Sequence, residues 1–149
     1  MTYERIAVTP LSPVIGAEIA GVDLSQQLGN QTFQEIHDAL VAHQVIFFRD
    51  QEMTLEQHKA FGRLFGKLHV HPAAPATDGD GEVVTIHADE NSTSVSGGQQ
   101  WHTDVSADEE PPMGSILHLR QVPEPGGDTL FASMYAAYDA LSDEMKSFL

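Results

Sequence analysis

Trp101-His102-Thr103-Asp104 sets an imidazole and a carboxylate two residues apart. On an extended strand, side chains i and i+2 point to the same face, so His102 and Asp104 would converge. They are two of the three donors in the 2-His-1-carboxylate facial arrangement, which holds Fe(II) and leaves coordination positions open. The third donor has no convincing candidate in the chain. The spacing is not unique either: His87-Ala88-Asp89 repeats it, and His69-Val70-His71 offers two imidazoles on one face. Any of these histidines taken alone is more often structural than a ligand. Three neighbours favour His102 and Asp104. Trp101 is expected to anchor the strand in the core while the polar pair faces a cavity. The polar, glycine-rich stretch Asn91 to Gly98 precedes the pair as an active-site lid would. Downstream, Gly126-Gly127-Asp128-Thr129 brings a turn and a hydroxyl that could bind a small anion, although Thr129 by itself reads first as a β-branched strand residue.

The elements that must carry these groups are short. Ile6 to Val8 and Gly16 to Ile19 are predicted strands, separated by the breakers Pro10 and Pro13. A helix is predicted with Asn30 as N-cap and Phe33, Ile36, Leu40 and Val41 at helical spacing. Val45 to Phe48 is a continuous apolar run, expected as a strand buried on both faces. Thr54-Leu55-Glu56-Gln57 has the form of a capping box. The helix it opens is expected to bury Leu55, Phe61, Leu64, Phe65 and Leu68 and to stop at Gly66. Pro72 to Gly81 reads as a loop. Glu82 to His87, Ser115 to Val122 and Asp128 to Ala132 read as strands, with a turn at Pro123 to Gly127. Ser133 to Leu141 and Ser142 to Leu149 read as helices; Ser142 caps the second, with Asp143 and Glu144 at its positive end. Short strands and turns in the middle point to a mainly β chain, an antiparallel barrel or jelly roll flanked by helices.

At 149 residues, 41% of them hydrophobic, the chain has room for one domain and its core. Acidic residues number 22 against 7 basic ones, a net charge of -15. That balance opposes non-specific binding to nucleic acid or to an anionic membrane surface. The chain has no cysteine, which excludes a disulfide framework and a thiolate metal site. No apolar run approaches the roughly 20 residues that span a bilayer, and Met1 to Pro10 lacks the pattern of a signal peptide. A soluble, cytoplasmic protein is expected.

Taken together, the motifs resemble those of the taurine dioxygenase family. They are Trp101-His102-Thr103-Asp104-Val105, Pro111-Pro112-x-Gly114, Pro125-Gly126-Gly127-Asp128-Thr129-Leu130-Phe131 and Ala136-Ala137-Tyr138-Asp139-Ala140-Leu141-Ser142. The first half matches as well, through Thr9-Pro10-Leu11, Ile15-Gly16-Ala17-Glu18-Ile19, His43-Gln44-Val45, Phe48-Arg49-Asp50-Gln51 and Phe65-Gly66-x-Leu68-His69-x-His71-Pro72. The likeness covers essentially the whole chain, in family order. It implies a double-stranded β-helix (jelly-roll) core, incomplete in this chain, so that residues 1–149 are the N-terminal portion of a single dioxygenase domain. It implies an Fe(II)- and 2-oxoglutarate-dependent dioxygenase that hydroxylates a small anionic organic substrate and releases succinate and CO2. His102 and Asp104 would be iron ligands, Thr129 would bind a carboxylate of 2-oxoglutarate, and His71 would help bind the anionic head of the substrate. His87 and Asp89 would not be ligands. The family's second histidine ligand and its 2-oxoglutarate-binding arginine come from a later segment, expected beyond Leu149. His118 and Arg120 are the in-chain stand-ins, though neither matches the family's position.

Taurine enzymes carry a tyrosine after the His-Pro pair and an asparagine before the Trp-His; those places here correspond to Ala74 and Gly98. The resemblance therefore favours another sulfonate, an alkyl sulfate or an aryloxy acid. O2 is the co-reactant, the complete enzyme is expected to be a homo-oligomer, and these 149 residues alone are expected to be inactive. Two alternatives stay open. One is a non-catalytic, truncated or degenerate metal-binding member of the same fold. The other is a cupin-like metalloenzyme using His69 and His71.

Overall fold

The computed structural model describes residues 2–70, 81–87, 89, 92 and 100–149. The chain divides into two compact units, Met1–Met53 with Arg120–Leu149, and Thr54–Leu119.

The first unit is built on a three-stranded sheet in the order β1-β2-β3, with β1 at Ala7–Pro10, β2 at Ala17–Ala20 and β3 at Ile46–Phe48. β1 and β2 run antiparallel, with Ala7 opposite Ala20 and Pro10 opposite Ala17. β3 joins β2 in parallel, Ala17 opposite Ile46 and Ile19 opposite Phe48. A parallel neighbour requires a crossover, and helix α1, Asn30–His43, provides it. Ile36 and Ala39 of α1 share the core with Ile6, Ala17, Ile19 and Leu24. One carboxylate fastens the entry to β1: Glu35 Oε2 accepts the amides of Glu4, Arg5 and Ile6 at 3.0, 2.8 and 3.3 Å.

Later in this unit, α3 (Met134–Asp139) and α4 (Asp143–Phe148) start at Ser133 and Ser142, whose hydroxyls accept from Ala136 N and Met145 N. Ser133 also donates to Gln44 Oε1 at 2.7 Å, and Phe131 meets the Phe47 ring edge-on at 5.7 Å. These contacts hold the segment carrying Thr129 against β3.

The second unit is organised by α2, Leu55–Arg63. The Thr54 capping box forms as expected: Thr54 Oγ1 accepts from Gln57 N at 3.2 Å and Gln57 Oε1 accepts from Thr54 N at 2.8 Å. Its inner face buries Lys59, Phe61 and Gly62. The Lys59 ammonium is satisfied by Glu56 at 3.5 Å and Glu82 at 3.4 Å, and Arg63 also pairs with Glu82. A buried charge is tolerable only with such partners. Gly62 lies against Ile116; a Cβ there would stand 3.7 Å from Ile116 Cδ1.

Several expectations need correction. Asn30 is the first helical residue rather than the cap; Gly29 caps with extended dihedrals and no side-chain bond. Val41 is exposed because it falls off the stripe that faces the sheet, and Leu55 and Leu64 are exposed too. β3 is half-buried along its length rather than buried on both faces. α2 ends at Arg63, and Gly66 follows in the turn with φ 144°. Glu82 to His87, Ser115 to Val122 and Asp128 to Ala132 form no ladder among the described residues. A strand is made by pairing, so an extended run without a partner is not one. No described helix is long and apolar enough to cross a membrane.

Candidate functional site

His102 and Asp104 meet. His102 Nε2 lies 3.3 Å from Asp104 Oδ1, and both side chains are about half exposed. They do so at a bend rather than on a strand. Val105 takes φ 50°, in the left-handed region, and Asp108 N returns to Val105 O at 3.3 Å. The Thr103 and Ser106 hydroxyls close the same turn.

Each member of the pair has its second atom engaged elsewhere. His102 Nδ1 sits 2.7 Å from the Gln100 carbonyl. A carbonyl accepts only, so Nδ1 carries a proton, and Nε2 is the nitrogen a metal would take. Asp104 Oδ2 accepts from Ser115 Oγ at 2.7 Å, which leaves Oδ1 toward the imidazole. This is the pattern of ligands whose outer atoms are tied to orient the inner ones.

The donor set fits a divalent first-row metal. Such ions hold nitrogen and oxygen donors at roughly 2.0–2.2 Å. Two such bonds at right angles put the donors roughly 3 Å apart, close to the observed 3.3 Å. One imidazole and one carboxylate, with no thiolate, suit Fe(II). Among the described residues no third His, Cys, Asp or Glu joins the pair.

The competing pairs differ. His87 Nε2 and Asp89 Oδ2 stand 3.8 Å apart, and the His87 side chain is 77% exposed. His69 Nε2 lies 3.7 Å from Asp108 Oδ2, while His71, the proposed substrate contact, lies outside the described residues, as do Ala74, Gly98 and most of the expected lid. Trp101 is 70% exposed and so does not anchor the segment in the core as expected; among the described residues no strand pairs with it to hold its ring against a sheet. His118 does not join the pair but packs edge-on against the His58 ring, centroids 5.7 Å apart. Burial, and after it the His118 imidazole, hold His58 below the ordinary imidazole range, opposed by a hydrogen bond to the Ile116 backbone. Arg120 is exposed.

Thr129 belongs to the other unit and is exposed. The turn before it needs its glycines, since Gly126 and Gly127 take φ 109° and 78°. Two participants escaped the sequence reading. Ser115 showed only as the polar start of a predicted strand, and Gln100 acts through a backbone atom that carries no sequence signal.

Residues 7–149 match the family described as Taurine catabolism dioxygenase TauD, TfdA family. The chain is 40% identical over 147 residues to the Alkylsulfatase of Acinetobacter baylyi, covering 97% of this chain and 45% of that protein. It is 39% identical over 143 residues to the alpha-ketoglutarate-dependent sulfate ester dioxygenase of Pseudomonas putida, covering 95% and 46%. The chain spans about half the length of the curated relatives it matches. Its fold follows that of a taurine dioxygenase structure from Burkholderia xenovorans, at TM-score 0.82 and 39% identity over 97% of this chain and 51% of that one. The chain belongs to the TauD/TfdA family of dioxygenases.

Proposed function

We propose that residues 1–149 are the N-terminal portion of a single jelly-roll domain, and that the complete protein is an Fe(II)- and 2-oxoglutarate-dependent dioxygenase. It hydroxylates a small anionic organic substrate, with alkyl sulfates and sulfonates ahead of aryloxy acids. The observation that carries this reading is the convergence of His102 Nε2 and Asp104 Oδ1 at 3.3 Å with their outer atoms tied. The sulfate-ester and alkylsulfatase relatives support the substrate class.

His102 and Asp104 hold the metal, with a second histidine supplied from sequence beyond Leu149. When bound, a metal with 2-oxoglutarate would supply the oxidising power, with one oxygen atom of O2 going to succinate as CO2 leaves and the other to the substrate's new hydroxyl. The remaining work belongs to the protein. Asp104 brings a negative charge that partly neutralises the dication. The Gln100 carbonyl holds the His102 ring in one tautomer. Thr129 donates its hydroxyl to a carboxylate of 2-oxoglutarate, and His71 donates to the anionic head of the substrate. Those donors, and an arginine beyond Leu149, must offset a chain charge of -15 for anionic ligands to enter.

Ala74 and Gly98 stand where taurine enzymes place polar side chains, so taurine loses two hydrogen bonds. Each is worth about 1–3 kcal/mol when its partner is buried, or roughly tenfold to a hundredfold in affinity. Succinate release by the complete protein over a panel of alkyl sulfates, sulfonates and aryloxy acids is therefore expected to rank an alkyl sulfate or larger sulfonate above taurine. Taurine as the best substrate would overturn the substrate assignment, and absence of 2-oxoglutarate turnover with every compound would overturn the reaction class.

A further inference from the structure

We propose that Ser115 is a positioning residue that keeps Asp104 a one-oxygen metal ligand. This rests on the reading of Asp104 as a ligand and deepens it. The two carboxylate oxygens have different surroundings. Oδ1 faces His102 Nε2 at 3.3 Å, whereas Oδ2 accepts the Ser115 hydroxyl at 2.7 Å. A hydroxyl bonded to a carboxylate makes a charge-assisted bond, about twice as strong as a neutral one. It competes directly with a metal for that oxygen.

The competition matters because coordination positions are scarce. An octahedral ion offers six. Two histidines and one carboxylate oxygen would take three, and a 2-oxoglutarate bound through two oxygens would take two. One position remains for O2. If Asp104 gave both oxygens, that position would be filled. Ser115 thus guards the open place by holding the other oxygen away.

Ser115 is itself held. Its neighbour Ile116 is hydrogen-bonded through its backbone to His58 of α2 and lies over Gly62, while His118 packs on the His58 ring. The start of the 115–118 segment is thereby fixed to a helix rather than left to a free loop, and a hydroxyl that must hold one oxygen needs such support. Both side chains are exposed, so removing the hydroxyl opens no cavity in the core.

The test uses the complete protein with Mn(II), and reads water bound to the ion by proton relaxation before and after saturating 2-oxoglutarate. The wild type is expected to retain one exchangeable water on Mn(II) once 2-oxoglutarate is bound. Ser115→Ala and Ser115→Cys are expected to retain none, with turnover down roughly 10- to 100-fold and the Michaelis constant for 2-oxoglutarate little changed. Ser115→Thr, which keeps the hydroxyl, is expected to restore the water. A purely structural role would lower the melting temperature and leave the relaxation unmoved. Equal relaxation in wild type, Ser115→Ala and Ser115→Cys would overturn the proposal and leave the proposed function standing. Failure of the wild type itself to bind Mn(II) would instead overturn the ligand assignment on which it rests.

Discussion

Replacing His102 by alanine in the complete protein separates the two His-x-Asp pairs. Structural sites with four protein donors are worth roughly 10–16 kcal/mol. One donor then accounts for about 3 kcal/mol, on the order of 100-fold in the metal dissociation constant. Among the described residues no third His, Cys, Asp or Glu joins the pair to substitute. The loss is therefore expected in full, and 2-oxoglutarate turnover with it. His87→Ala removes only a solvent-facing imidazole 3.8 Å from Asp89. Exposed pairs of that kind contribute about 0–1 kcal/mol, so its metal content and turnover should stay near wild type. Anaerobic Fe(II) binding by equilibrium dialysis, followed by oxygen consumption with saturating 2-oxoglutarate, measures both. An iron-replete, active His102→Ala protein beside an iron-free His87→Ala protein would refute the choice of pair, and the mechanism with it.

The other predictions concern the scaffold. Ile36 is fully buried between helix and sheet, and Ile36→Ala should cost about 2–5 kcal/mol through lost burial and the cavity left behind; a urea midpoint unmoved in the complete protein would show that this core is not what holds the unit together. Burial pushes the Glu35 carboxyl up, but the Arg5, Glu4 and Ile6 amides and the Gln31 side chain together hold it below its ordinary value. A lowered folded pKa adds stability that is complete above the unfolded value of about 4.3 and is lost as pH falls through the folded one. Melting curves across the acid range should accordingly decline less steeply for Glu35→Gln than for wild type, and parallel declines would contradict the assignment.

Much of the chemistry settled within one turn of chain was legible in the sequence, the Asn30 cap excepted. The capping box at Thr54 and Gln57, the serine cap at Ser142 and the glycine turn before Thr129 all formed where residue types alone place them. So did the first two strands, to within a residue or two. The predicted strands after Thr54 were not legible in the same way. Their apolar alternation is real, but a ladder needs a second strand, and no described residue supplies one to Ser115 to Val122. Exposure failed for a related reason: Trp101 and Val41 are large and apolar, yet burial depends on what lies opposite. The spacing of His102 and Asp104 indicated that they would meet but not how. An alternating strand was the expected device, and a left-handed bend is the observed one. Ser115 comes from beyond the turn, and Gln100, though next to the pair, acts through a backbone carbonyl that any residue type would supply, so no residue pattern could announce them.

That bend has a consequence for engineering. A β-branched residue in left-handed backbone is an outlier, costing about 1–3 kcal/mol, and Val105 sits there directly after Asp104. Glycine or asparagine would relax the same turn. A campaign that selects only for heat tolerance should therefore find position 105 early. It would gain a hardier protein whose carboxylate is less firmly aimed, and thermal survival and turnover would part company at a residue that touches neither metal nor substrate.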